Sequence, residues 1–122
     1  YRTPGNNGTH TAQLYSSDGT LLDSRVFTNE TDTGWQTVFF EPAIPIAANT
    51  TYIAAYHSSE GYYTSTAYGL KTAITNGPLT ALADSSDGSN GLYKYTDTPT
   101  FPDRTFMSNN YWIDIVAEIN VN

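Results

Sequence analysis

Residues 111–121 carry the pattern that decides the fold, and they have the sequence Tyr-Trp-Ile-Asp-Ile-Val-Ala-Glu-Ile-Asn-Val. Every second side chain from Tyr111 to Val121 is apolar or aromatic, and the side chains between them are Trp112, Asp114, Val116, Glu118 and Asn120. Successive side chains of a β-strand point to opposite faces of the sheet. The alternation therefore predicts a half-buried strand over residues 111–121.

A hairpin is predicted near the start of the chain. Residues 9–16 and 20–28 both contain apolar and β-branched residues, and they flank the turn Ser17-Asp18-Gly19. Glycine adopts positive φ angles at little cost, and Asp is common in tight turns. We therefore expect the two runs to pair as antiparallel strands.

Further strands are indicated by runs of aromatic and β-branched residues that end at Gly, Pro or Asn. They cover residues 34–40, 50–57, 61–64 and 92–95. Residues 66–91 and 96–110 lack such a pattern and are predicted to be long loops, the first with one helical turn over residues 79–83. Short strands without ordinary helices are typical of an all-β fold, here an antiparallel β-sandwich of jelly-roll type.

Composition restricts the class of protein. The 122 residues fit a single domain, 1–122, and its 12 acidic against 5 basic side chains give a net charge of −7. No cluster of cations is present, which argues against nucleic-acid binding, and no apolar run is long enough to span a membrane. A cysteine-free, acidic chain rich in Tyr and Thr is typical of extracellular bacterial domains, so we expect a secreted or cell-surface location.

No signature of catalysis is found. The chain has two histidines and no cysteine, and it lacks a nucleophile elbow, a zinc-protease motif and a phosphate-binding glycine loop. Its carboxylates show no spacing that selects an acid and base pair. We therefore expect a binding module and no enzyme.

Aromatic residues in the second half suggest a carbohydrate site, because sugar rings stack on flat apolar faces while nearby polar groups bind their hydroxyls. The residues that we select as ligand-binding are Trp112, Asp114, Tyr62, Tyr68, Tyr93 and His57. Tyr63 and Tyr95 belong to the same aromatic set but are not selected. Strand alternation would place Trp112 and Asp114 side by side on the face opposite the isoleucines. The alternative is that a second layer covers this face and buries Trp112.

A calcium site is the second candidate. Asp84, Asp87 and Asn90 place hard oxygen ligands in a glycine-containing loop, and calcium selects oxygen ligands. The glycine position and the missing final Glu exclude an EF-hand. The alternative is a turn in which these side chains bind their own backbone.

The chain also resembles a known family through an ordered set of fragments. They are Gly8-Thr9-His10-Thr11, Ser17-Asp18-Gly19-Thr20-Leu21-Leu22, Phe27-Thr28-Asn29-Glu30-Thr31, Gly34-Trp35-Gln36-Thr37-Val38, Thr50-Thr51-Tyr52-Ile53-Ala54, Gly77-Pro78-Leu79-Thr80-Ala81-Leu82 and Asn110-Tyr111-Trp112-Ile113-Asp114. Together they are similar to the bacterial domain-of-unknown-function family 4082 over nearly the whole chain.

This resemblance implies a β-sandwich from large secreted or surface proteins, and it implies no catalytic residues. Family members usually begin a strand or two before Tyr1, so the chain is expected to lack its first strands. An uncovered sheet edge favours pairing with another chain. The alternative function is therefore a structural or adhesive module, or a self-assembling subunit, whose partners are neighbouring domains or subunits.

Overall fold

The computed structural model describes residues 1–118, and in that range the chain forms seven β-strands and no helix. The strands make three antiparallel sheets, one of three strands and two of two strands. The predicted all-β, antiparallel class is therefore confirmed.

The largest sheet is built from β1 (His10–Ser16), β2 (Leu21–Val26) and β3 (Tyr52–Ser58) in the order β2-β1-β3. The first two strands form the predicted hairpin, with an irregularity in the register after Leu14. Gly19 has φ of 93°, which supplies the conformation that the turn requires. The Asp18 carboxylate accepts hydrogen bonds from the Ser16 hydroxyl and the Thr20 amide, and these bonds lower its pKa.

β3 confirms the strand predicted over residues 50–57. It runs antiparallel to β1 along its whole length, from the pair His10 and Ser58 to the pair Ser16 and Tyr52. β1 therefore has a neighbour on both edges. It contains more buried residues than any other strand, among them Tyr15 and Gln13.

The remaining strands are short. β4 (Ile74–Asn76) pairs with β5 (Leu79–Ala81), and β6 (Leu92–Tyr93) pairs with β7 (Arg104–Thr105). The helical turn predicted over residues 79–83 is wrong, because Gly77 at φ of 58° turns the chain back and the hydroxyls of Thr75 and Thr80 then bond across the hairpin. The two predicted loops accordingly contain strands, whereas the strand predicted over 92–95 ends after two residues.

The strands predicted over residues 34–40 and 61–64 do not form. The strand predicted over residues 111–121 is also wrong for its described part, residues 111–118. Gly34 makes only one isolated bridge, with Arg2. Trp112 has φ of 58°, a left-handed conformation that breaks the alternation near the start of its segment. The rest of that prediction, residues 119–121, lies outside the described residues.

Buried polar side chains connect the start of the chain to β1. His10 is buried, and its Nδ1 lies 2.8 Å from Glu30 Oε1 while its Nε2 lies 2.9 Å from Asn6 Oδ1. Each ring nitrogen thus has a partner, as a buried polar group requires. His10 is therefore occupied by structural contacts, as is usual for a lone histidine.

Two glycines with similar backbone angles provide a matched test of the packing around residue 109. Gly91 has φ of 68° and Gly88 has φ of 74°. A Cβ atom on Gly91 would overlap the carbonyl oxygen of Asn109, whereas one on Gly88 would meet nothing within 4 Å. Both alanine variants carry a left-handed strain of about 1 to 2 kcal/mol, and the clash at Gly91 adds about 1 to 3 kcal/mol.

We therefore expect Gly91→Ala to unfold at a clearly lower urea concentration than Gly88→Ala, measured by circular dichroism. Equal midpoints for the two variants would contradict the close approach of residues 91 and 109.

Candidate functional site

A groove with a cavity volume of about 600 Å³ runs beside β3 and β6. We name it the tyrosine groove, because the side chains that line it include Tyr56, Tyr62, Tyr63, Tyr93, Tyr95 and Tyr111. This is a large share of the 10 tyrosines in the chain. Grooves of this size, with aromatic walls and a few polar groups, are the usual form of a small-ligand site.

The sheets fix one part of this set. Tyr56 and His57 belong to β3, where they pair with Ala12 and Thr11 of β1. Tyr93 belongs to β6, which is held by its pairing with β7. The groove thus has hydrogen-bonded strands along part of its wall, and loop residues complete it.

The rings contact one another edge to face. Tyr63 and Tyr111 have centroids 5.5 Å apart at 75°, and Tyr93 and Tyr95 have centroids 5.8 Å apart at 65°. Tyr93 also contacts Tyr111, at 6.5 Å and 58°. Aromatic pairs prefer such tilted arrangements. They connect four of the rings into one cluster, with ring planes that differ in direction.

Ring exposure divides the groove into a surface and a floor. Tyr95 is 71% exposed, Tyr62 55% and Tyr63 47%. Tyr56 is largely buried, and burial raises its pKa to about 12. Its hydroxyl lies 3.5 Å from the carbonyl oxygen of Tyr111. The exposed rings can therefore be reached by a ligand, while Tyr56 is less accessible in the same groove.

Two further phenols of the groove have a raised pKa, so that they remain protonated at neutral pH. Burial raises the pKa of Tyr111, and the hydrogen bond with Tyr63 raises the pKa of Tyr95. The hydroxyl oxygens of Tyr63 and Tyr95 are 3.2 Å apart. A protonated phenol both donates and accepts hydrogen bonds. The groove thus offers two-way hydrogen bonding beside its aromatic faces.

Few charges lie in the groove. Among its lining residues Lys94 is the one with a permanent charge, and its Nζ lies 3.1 Å from Asp103 Oδ2. His57 Nε2 donates to the carbonyl oxygen of Thr96 at 2.8 Å, which leaves Nδ1 as an acceptor in the neutral ring. Asn109 is buried in the wall, and its Oδ1 has no hydrogen-bond partner among residues 1–118.

The structure distributes the residues selected from the sequence over more than one place. Three of them line the tyrosine groove, namely Tyr62, Tyr93 and His57. Tyr68 does not line it; this residue is exposed, and its backbone has φ of 59°. Tyr63 and Tyr95, which belong to the predicted aromatic set, also line the groove, and so do Tyr56 and Tyr111, which the sequence pattern does not indicate as ligand-binding. Tyr111 was expected on the core side of a strand, and only the three-dimensional arrangement reveals its position.

Trp112 and Asp114 line a second groove of about 740 Å³, which we name the tryptophan groove. Trp112 is 37% exposed, and its indole Nε1 donates to Thr66 Oγ1 at 2.9 Å. The second tryptophan, Trp35, lines the same groove and forms an edge-to-face contact with Tyr1. Glu30 is also among the lining residues. Both residues selected from the sequence therefore line one groove, which is not the tyrosine groove.

The residues of the calcium prediction bind groups of their own chain. Asp84 accepts hydrogen bonds from the Asn90 amide at 2.8 Å and from the Ser108 hydroxyl at 2.7 Å, and these bonds lower its pKa. Asp87 accepts one from Thr51 Oγ1. Asn90 Nδ2 donates to the carbonyl oxygen of Leu82. Calcium binding stays a prediction, and residues 1–118 contain no cluster of three His, Asp or Glu side chains suited to a metal ion.

The fold and the groove define a small all-β domain with antiparallel sheets and an aromatic cleft. Within residues 1–118 there is no helix of the length and hydrophobicity that would cross a membrane. Residues 1–113 match the family model described as Domain of unknown function (DUF4082), and the chain belongs to this family. No curated protein and no solved structure matched the chain.

Proposed function

We propose that this domain is a non-catalytic carbohydrate-binding module, and that the tyrosine groove holds the sugar. The observation that carries the proposal is the set of six tyrosines around one groove, three of them strongly exposed. The C–H faces of a sugar ring are apolar and stack on aromatic faces, while the phenol hydroxyls can bind sugar hydroxyls.

Polar groups at the wall support the same ligand. Nδ1 of His57 is free of the bond that occupies Nε2, and Asn109 supplies an amide next to the rings. A ligand with many hydroxyl groups can use such acceptors and donors together. Trp112 and Asp114 in the tryptophan groove form a second candidate contact for a longer glycan.

The finer architecture and the location belong to the same proposal. A jelly-roll-like β-sandwich is supported by the antiparallel pairing of the described strands and by the all-β content of residues 1–118. A secreted or cell-surface bacterial protein is supported by the acidic, cysteine-free composition. Calcium bound near Asp84, Asp87 and Asn90 would stabilise the adjacent loop, since its carboxylates are hard ligands.

A structural or assembling module is the second candidate, and one observation favours it. Large apolar side chains are exposed around the tryptophan groove, with Phe39 at 60% and Val116 at 75%. Exposed apolar patches often mark contacts with other proteins. This candidate predicts self-association that increases with concentration in analytical ultracentrifugation, which carbohydrate binding alone does not require.

The test of the proposed function is affinity gel electrophoresis of the purified domain in gels that contain soluble starch, galactomannan, glucomannan, xylan or hydroxyethyl cellulose. Retarded migration in at least one gel, with a matching change in aromatic fluorescence, is the expected result. Bovine serum albumin is the control for retardation by viscosity. Unchanged migration in every gel, in the presence and absence of calcium, would contradict the proposal and favour the assembling module.

A further inference from the structure

We infer that the tyrosine groove selects a single chain of a neutral polysaccharide, in preference to acidic glycans and to crystalline polysaccharide surfaces. This inference rests on the proposed function and adds the class of ligand. Two independent features of the groove carry it, namely its charges and the directions of its ring planes.

The charges argue against an acidic glycan. Among the lining residues within 1–118, Lys94 is the one with a permanent positive charge, and Asp103 at 3.1 Å neutralises it. A glycan carboxylate or sulfate in the groove would lose its hydration without gaining an unpaired cation. The net charge of −7 also repels a polyanion as it approaches. An acidic chain is therefore disfavoured both in the groove and at long range.

The uncharged hydroxyl groups of a neutral sugar are suitable partners for the tyrosine phenols of the groove. A protonated phenol both donates and accepts hydrogen bonds, and the pKa values of Tyr56, Tyr95 and Tyr111 are raised above the usual range. These groups therefore keep their protons throughout the neutral range. Binding that depends on them and on ring stacking should be nearly independent of salt, because salt screens charges and leaves apolar contacts intact.

The ring planes argue against a crystalline surface. Such a surface is flat, and it would need several aromatic rings that lie in one plane. The contacts between Tyr63 and Tyr111 and between Tyr93 and Tyr95 have interplanar angles of 75° and 65°. Two rings at such angles cannot both lie flat on one plane. They can hold successive sugar units of one chain that turns along the groove.

The experiment compares matched forms of the same polysaccharide. For each retarding polysaccharide built from hexoses, a second gel contains its derivative with the C6 alcohols oxidised to carboxylates. For xylan, whose pentose units have no C6 alcohol, the second gel contains carboxymethyl xylan. A third assay compares depletion of the domain from solution by microcrystalline cellulose and by amorphous cellulose regenerated from it. Each measurement is made at low and high sodium chloride.

We expect at least tenfold weaker binding to the carboxylated derivatives, no greater depletion by crystalline than by amorphous cellulose, and less than a twofold effect of salt on neutral binding. Equal or stronger binding to a carboxylated form, or preferential depletion by crystalline cellulose, would overturn this inference and leave the proposed function standing. Binding to none of the polysaccharides would overturn the proposed function itself.

Discussion

Replacing Tyr63 and Tyr95 together by Ala is expected to weaken binding to the retarding polysaccharide about 100-fold. Their rings are exposed in the groove, and their hydroxyls are 3.2 Å apart, so both can contact one ligand. Loss of a stacking ring costs about 0.5 to 1.5 kcal/mol in addition to the apolar area that it buries, and each 1.4 kcal/mol is tenfold in affinity. Dissociation constants from affinity electrophoresis over a range of polysaccharide concentrations measure the effect.

Tyr68→Asn is the matched control. Tyr68 is also an exposed tyrosine, 58% accessible, but it lies outside the groove. Its φ of 59° is a conformation that Asn tolerates. This variant should bind within twofold of the unchanged domain. Equal weakening by Tyr68→Asn, or unchanged binding by the double variant with an unchanged urea midpoint, would show that the groove is not the site.

The part of the fold that could be predicted from sequence is the part with strong local signals. The turn at Ser17-Asp18-Gly19 combines a side-chain acceptor with a glycine at φ of 93°, and both strands of the hairpin follow from it. The strand over 50–57 also formed, since β1 offers it an edge along its entire length. In both cases the local preference and the partner agree.

Alternation alone did not determine the strand at residues 111–118. A strand needs a hydrogen-bonded neighbour, and the sequence pattern does not say whether one is present. In its place, side chains bind adjacent backbone groups: Asn110 Oδ1 accepts from the Trp112 amide at 2.7 Å, and Asp114 Oδ1 accepts from the Ile115 amide at 2.8 Å. Asn and Asp compete with regular structure in this way.

The sequence predicts only part of the candidate site, because the rest depends on contacts between distant residues. An aromatic composition in the second half of the chain identified Tyr62 and Tyr93, which do line the groove. Tyr56 lies about 37 residues before Tyr93, and its face on β3 could not be assigned from the sequence alone. The position of Tyr111 depends on tertiary packing against Tyr63 and Tyr93. Long-range contacts of this kind leave no local pattern.

Tyr15 is expected to be the most important single side chain for stability. It is 4% exposed on β1, its ring meets Phe101 edge to face at 5.1 Å, and its hydroxyl accepts a hydrogen bond from Gln13. Removing a buried aromatic ring creates a cavity, and such changes cost about 3 to 5 kcal/mol. Tyr15→Ala should therefore lower the free energy of unfolding by about this amount, measured by urea denaturation.

Two further variants separate the ring from the hydroxyl. Tyr15→Phe keeps the contact with Phe101 but leaves the buried Gln13 amide without this partner, which costs about 1 to 3 kcal/mol. Tyr62→Ala, at an exposed position of the groove, should change stability by less than about 0.5 kcal/mol. A Tyr15→Ala variant as stable as Tyr62→Ala would contradict the placement of Tyr15 in the core.

The pH dependence gives an independent check of the same burial. Burial raises the pKa of the Tyr15 phenol, so its neutral form is favoured in the folded state. The resulting stability is fully present below the pKa of the unfolded chain, about 10, and it is lost as the pH rises through the folded value. The unfolding free energy should therefore fall less steeply above about pH 10 in Tyr15→Phe than in the unchanged domain, because the variant has no phenol to ionise at this position.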